Sequence, residues 1–278
     1  MASRRSQHTE QLKGKVCVVT GASSGLGESI AIMFAQRGAS VTLCGRNEDR
    51  LQASLTLCVQ ASGGQADRFL AVSGDVVDLS ARKAIVEKTV EKFGRLDVLV
   101  ANAGVADPHC GILTASEETF DKIMNTNVKA VFFQIQEAVP HLAASKGNII
   151  VVSSMLSFMA CSPNILYPMS KAAVDHMIRC LAVDLGPKEI RVNAVNPSLI
   201  PTRMRRDYAP DEETMDKQYN QALVPEIEKQ PLGNVGVTKE AVAEAVSFLA
   251  SDAASFLTGL CMPVDGGRSF AGTFGNKS

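Results

Sequence analysis

KVCVVTGASSGLGESIAIMFAQRG, residues 15–38, is the stretch that decides the fold. Its opening run, KVCVVT (15–20), is apolar and β-branched without alternation, which marks a strand buried on both faces. From Ser24 onward the apolar residues recur at helical spacing until Gly38, a helix stop. Gly21, Gly25 and Gly27 stand between strand and helix. A second apolar strand, SVTLCG (40–45), follows at once, as it does in a parallel sheet.

The same alternation runs on. Spacing predicts helix over 47–61, strand 68–73, helix 80–94 and strand 96–104. Helix follows over about 117–144, then strand 148–153, helix 167–185 and strand 190–195. The last third reads as an irregular polar stretch (197–237), a helix (239–250) and a short strand near 260–264. Right-handed crossovers then give an α/β, single-domain, Rossmann-type doubly wound parallel sheet with helices on both faces. Ligands in such a fold bind beyond the carboxyl ends of the strands.

Composition narrows the partners. The chain has 278 residues, 46% of them apolar, which suffices for one sizeable core. The domain is expected over 12–268, between a flexible N-terminal tail (1–11) and a C-terminal tail (269–278). The first residues lack a charged-then-apolar leader, and the final NKS is not a peroxisomal address, so a cytoplasmic location is expected. A net charge of −1 without charge blocks argues against nucleic acid, and runs as short as NIIVV (148–152) argue against a membrane. The seven scattered cysteines form no CxxC pair, so reduced thiols and no metal are expected.

The glycine spacing is G-x-x-x-G-x-G. Glycine tolerates positive φ and lets backbone approach a ligand, and a helix N-terminus attracts a pyrophosphate. The loop Gly21, Ser23, Ser24, Gly25, Leu26 and Gly27 is therefore a candidate dinucleotide cradle. An NAD site usually carries an acid about 20 residues beyond the glycines. Here that place falls on Gly45, followed by Arg46 and Asn47. A small residue leaves room for a 2′-phosphate and a guanidinium can pair with it, so NADP(H) is expected, with NAD(H) as the weaker alternative.

YPMSK (167–171) carries the second signal. Pro168 suits the first turn of a helix, and Lys171 then shares a face with Tyr167. An ammonium and the positive helix end both favour phenolate, which makes the phenol a tuned proton donor and acceptor. Ser154 ends the strand NIIVVSS, NAG (102–104) ends the fourth strand, and Asn127 sits in mid-helix, where an amide calls for a kink or a task.

TGASSGLG, NAG, Asn127, Ser154 and YPMSK stand in the order and spacing of the short-chain dehydrogenases/reductases. IRVNAVNPSLIPT (190–202), FLASDAASFLTG (248–259) and PVDGG (263–267) agree, so the resemblance covers about 12–268. Within the family the chain resembles animal carbonyl-reductase or 3-oxoacyl-reductase-like members. The resemblance implies that Tyr167 exchanges the proton, Lys171 lowers its pKa and bonds the nicotinamide ribose, and Ser154 polarises the carbonyl. Asn127 would hold a relay water. Asp75 and Val76 would contact adenine, and Asn102, Ala103 and Gly104 would floor its ribose. Pro197, Ile200 and Thr202 would meet the nicotinamide end. Pro197-Ser198, where the family usually has Pro-Gly, and Pro168 after the tyrosine are departures that remove no reacting group.

The implied activity is reduction of a small apolar ketone or aldehyde. Oxidation of an alcohol or hydroxysteroid, or a sensor without turnover, are the alternatives. Met155, Phe158, Cys161 and Leu166 are candidate pocket residues, and a lid is expected over about 198–237. The resemblance also implies a homo-oligomer, a tetramer in most members, which the apolar 241–264 region fits.

Overall fold

A computed structural model describes residues 10–108, 110–200, 202–204, 211–233 and 235–272. Most of the expected N-terminal tail and the end of the C-terminal one lie outside the described residues.

Seven strands form one parallel sheet: β1 (Val16–Thr20), β2 (Ser40–Gly45), β3 (Phe69–Ser73), β4 (Val98–Ala101), β5 (Asn148–Val152), β6 (Arg191–Pro197) and β7 (Cys261–Val264). Their order is β3-β2-β1-β4-β5-β6-β7, all parallel. The order reverses between β1 and β4, which is the switch point where a crevice opens.

Alternate residues of each strand face opposite layers. Cys17, Val19, Val98 and Val100 pack with Ile30 and Phe34 of α1 (Gly25–Gln36), Leu51 of α2 (Glu48–Ala61) and Val246 of α8 (Lys239–Ala250). Val18, Leu99, Ile149 and Val151 pack against Ile85 of α3 (Leu79–Phe93), Ile135 of α5 (Ala130–Ser145) and Ile178 of α6 (Leu166–Leu185). Each such buried side chain contributes about 2 kcal/mol. The start of β1 is pinned too: Asp97 accepts from Val16 N at 2.9 Å and pairs with Arg95 at 2.6 Å.

Caps set the helix starts. Asn47 accepts from Arg50 N at 2.9 Å, Ser116 from Thr119 N at 3.1 Å ahead of α4 (Glu117–Met124), and Thr238 from Ala241 N at 3.1 Å. Gly94, at φ 76°, ends α3 in the left-handed conformation.

Three expectations change. The helix expected over 117–144 is two, α4 and α5, joined by a π-turn at Asn125–Lys129. The fourth strand stops at Ala101, leaving NAG in a loop. The stretch read as irregular, 197–237, contains a helix, α7 (Glu212–Glu228), capped by Asp211, which accepts from Thr214 N at 2.7 Å. Its polar composition and internal Pro225 hide the helical period. Among the described residues, no helix is long and apolar enough to cross a membrane.

Candidate active site

One cleft opens over the carboxyl ends of β1, β2, β4, β5 and β6. The glycine loop is its wall. Gly21 and Gly25 hold φ of 66° and 64°. A Cβ at Gly27 would run into the Gly21 carbonyl and stand 2.5 Å from Asn102 Nδ2, so only glycine lets α1 approach the turn. Asn102 fastens this turn, donating from Nδ2 to Thr20 O at 2.9 Å while Thr20 Oγ1 accepts from Asn102 N and Ala103 N. Ser24, at the N-cap of α1, makes no side-chain cap bond, so the first N–H groups of α1 face the cleft uncapped by it.

At the far end of the cleft stand Gly45, Arg46 and Asn47, with Asp75 and Val76 beside them. A Cβ at Gly45 would lie 2.8 Å from Ser23 Cβ, a closer reason for glycine than room for a phosphate. Arg46 Nη1 lies 3.4 Å from Asp75 Oδ2 with its side chain half-exposed. Arg50 also lines this end, and its buried Nε has no hydrogen-bond partner. The sequence reading passed over Arg50, although its place four residues after Arg46 was a signal. Uncapped helix N–H groups, a glycine cradle and a buried unpartnered guanidinium nitrogen fit a phosphate-bearing dinucleotide.

The other end holds Ser154, Tyr167 and Lys171, with Pro197, Ile200 and Thr202 across from them. Tyr167 and Lys171 share a face of α6, with Lys171 Nζ 5.6 Å from the phenol ring centre. Lys171 is buried, and its Nζ donates to Val152 O at 2.8 Å. Burial pulls its pKa down to about 8, and the Asp175 carboxylate opposes that pull. Ser154 Oγ accepts from Leu156 N at 3.2 Å, which leaves its own hydrogen to donate.

Asn127 does not line the cleft. It sits behind Gly104 in the π-turn, where Oδ1 accepts from Val105 N at 2.9 Å and Nδ2 donates to Val105 O at 2.9 Å and Ser170 Oγ at 3.0 Å. Of the kink or task expected of this amide, the structure shows a π-turn at its position and a side chain that locks the loop after β4. Gly104 has no Cβ to stand between Asn127 Oδ1 and Lys171 Nζ, which would lie 3.3 and 3.7 Å from it. Of the candidate pocket residues, Met155 lines the cleft. Leu166 packs instead with Val105, Cys110 and Ile123 in a small apolar cluster. Phe158 and Cys161 lie outside the cleft lining, Phe158 half-exposed. Leu199, Met204 and Tyr219 join the lining from the segment after β6.

The family model described as enoyl-(acyl carrier protein) reductase matches residues 21–269. A versicolorin reductase of Emericella nidulans is 36% identical over 268 residues, covering 94% of this chain and 98% of that protein. A short-chain dehydrogenase/reductase of unknown function from Caenorhabditis elegans, determined with cofactor, superposes with a TM-score of 0.86 at 32% identity, covering 94% and 97% of the two chains. The 3-ketoacyl-(acyl-carrier-protein) reductase of Brucella melitensis, complexed with NADH, superposes with a TM-score of 0.80 at 31% identity over 93% and 99%. With its parallel sheet, its glycine turn at the switch point and these relatives along almost its whole length, the chain belongs to the short-chain dehydrogenase/reductase family, oxidoreductases that bind a nicotinamide dinucleotide.

Proposed function

We propose that the protein is an NADP(H)-dependent reductase that converts a small apolar ketone or aldehyde to an alcohol. The observation that carries this reading is the gathering of Ser154, Tyr167 and Lys171 in the same cleft as the glycine loop. A bound nicotinamide supplies the hydride chemistry. Ser154 donates a hydrogen bond to the carbonyl oxygen, and Tyr167 gives that oxygen its proton. Lys171, cationic below about pH 8, favours phenolate in the vacated tyrosine and bonds the nicotinamide ribose. Asn127, behind Gly104, would hold the water that returns a proton toward Lys171, supported by the closeness of Asn127 Oδ1 and Lys171 Nζ to Gly104.

Arg46 and Arg50 support the choice of NADP(H): two guanidinium groups at the ribose end can pair with a 2′-phosphate, and no acid follows β2 directly. In the same proposal 12–268 is the catalytic domain and 198–237 the lid, supported by Leu199, Met204 and Tyr219 in the cleft lining. Copies assemble as a homotetramer in the cytoplasm.

Oxidation of NADPH and NADH is measured across diketones, quinones, aldehydes, ketosteroids and a 3-oxoacyl thioester. Turnover is expected with NADPH in preference to NADH, and Tyr167→Phe lowers kcat by about 10²–10⁴-fold while NADPH fluorescence still reports binding. Faster turnover with NADH overturns the cofactor assignment. Turnover that survives Tyr167→Phe overturns the mechanism, and turnover of alcohols with NADP⁺ alone reverses the direction.

A further inference from the structure

Outside the cleft, the reacting groups rest on a buried polar cluster. Asp175 stands one helical turn beyond Lys171 on α6 and is 3% exposed. Its Oδ2 accepts from Ser157 Oγ at 2.5 Å and from Asn196 Nδ2 at 2.8 Å. Asn196, fully buried on β6, also places Nδ2 3.1 Å from the backbone oxygen of Ser154 and 3.0 Å from Ser157 Oγ. A helix carboxylate is thereby joined, through a strand amide, to the peptide that carries Ser154. Asp175 Oδ1 and Asn196 Oδ1 are buried without hydrogen-bond partners. A buried carboxylate with one oxygen unsatisfied destabilises the fold, where an apolar side chain would pack without that cost.

We propose that Asp175 and Asn196 are positioning residues of the reducing site: Asn196 fixes the Ser154 peptide, and the Asp175 carboxylate holds Lys171 cationic. The inference rests on the reductase reading given above. Burial acts against the ammonium, and Asp175 acts for it. The groups packed about Lys171 are Tyr167 and Asp175 on its own helix, the Val152 carbonyl of β5, and the neutral Asn127 amide across Gly104. Beyond Asp175 stands Cys261 of β7, with its Sγ 3.7 Å from the Asp175 backbone oxygen. Burial and Asp175 push the Cys261 thiol up to about 11, while Arg179 pulls it down, so it stays neutral where Lys171 titrates.

Rate profiles between about pH 6 and 10 test the two roles separately on the wild type, Asp175→Asn and Asn196→Ala. Removing the Asp175 charge makes the ammonium release its proton sooner, so the alkaline limb of Asp175→Asn moves down by about one pH unit. Asn196→Ala keeps that charge: kcat falls about tenfold at every pH, and the limb stays in place. A limb in Asp175→Asn that coincides with the wild type overturns the electrostatic role. Wild-type kcat in Asn196→Ala overturns the positioning role. Should Asp175→Asn not fold, Asp175→Glu must keep the wild-type limb at a lowered kcat, and a shifted limb there overturns the proposal. A wild-type protein inert toward every carbonyl defeats the reductase reading instead. The Lys171 titration is then followed through the pH dependence of NADPH binding in the same variants, where an unmoved midpoint in Asp175→Asn overturns the inference.

Discussion

A methyl group added at Gly27 would meet the Gly21 carbonyl oxygen and the Asn102 amide together. Alanine at an ordinary helix position is better than glycine by about 1 kcal/mol. Here the sign reverses: Gly27→Ala is expected to cost about 1–3 kcal/mol by overpacking and to weaken cofactor binding at least about tenfold by moving the α1 N-terminus off the turn. Thermal melts and NADPH fluorescence check both, and a stabilised variant with wild-type affinity refutes the close approach. That the glycines, Ser154, Tyr167 and Lys171 meet in one cleft was legible because glycine spacing follows backbone geometry and residues four apart share a helix face. At Gly45 the structure adds a reason for glycine that the sequence did not show, since a Cβ there would lie 2.8 Å from Ser23 Cβ. Arg50 was legible but passed over, four residues after Arg46. Asp175 and Asn196 were not legible, because their contact joins α6 and β6 across 21 residues, which periodicity within one element does not encode.

Among the elements, α7 was the one hidden from the sequence. It is tied to the end of the described chain rather than to the sheet. Arg268, fully buried, donates from Nε to Glu226 Oε2 at 2.6 Å and from Nη1 to the carbonyls of Ala271 and Gly272 at 3.3 and 3.4 Å. Glu226 is the third-last residue of α7 and lies 3.5 Å from Lys229 as well. Losing Arg268 removes the closer cation of the buried Glu226 carboxylate and leaves it the more distant Lys229, so the cost falls below the roughly 3–5 kcal/mol of a buried pair broken outright. Arg268→Met is therefore expected to release α7 first, seen in limited proteolysis as early cleavage within 212–228 with the sheet intact. Cleavage at the wild-type rate denies the pair its anchoring role. The π-turn between α4 and α5 was half legible: Asn127 marked the place, but the widened turn depends on Val105 and Ser170, which accept and donate around it.

The whole molecule responds to alkali through groups of opposite sign. Lys171 has a folded pKa of about 8, below its ordinary value of 10.5, so the unfolded chain binds the extra proton between the two and stability rises with pH there. Burial pushes thiols the other way: Cys44 and Cys58 up to about 12, Cys110 and Cys261 up to about 11, with Cys17 raised as well. Their unfolded forms lose protons above about pH 9, which the folded forms keep, so stability falls from there. Five thiols outweigh one ammonium. Unfolding free energy is expected to climb from about pH 8 to a maximum near 9 and then decline. Urea titrations of the wild type and Lys171→Met test this, since the variant should lose the climb and keep the decline; parallel curves would refute it. The parallel sheet and its two helical layers were legible at this scale because apolar runs alternating with helices admit few topologies. Segment 198–237 was not, since its placement depends on the cleft it borders. The pairing of β1 with β4 has one more consequence, for synthesis on the ribosome. The first strand has β2 beside it early, but its other neighbour begins at Val98, and Asp97 and Asn102, which hold its two ends, are translated with that neighbour. A nascent chain stalled after β3 therefore carries its central strand with an open edge and its nucleotide turn unfastened. Such a fragment is prone to edge-to-edge association and must be shielded until the fourth strand emerges.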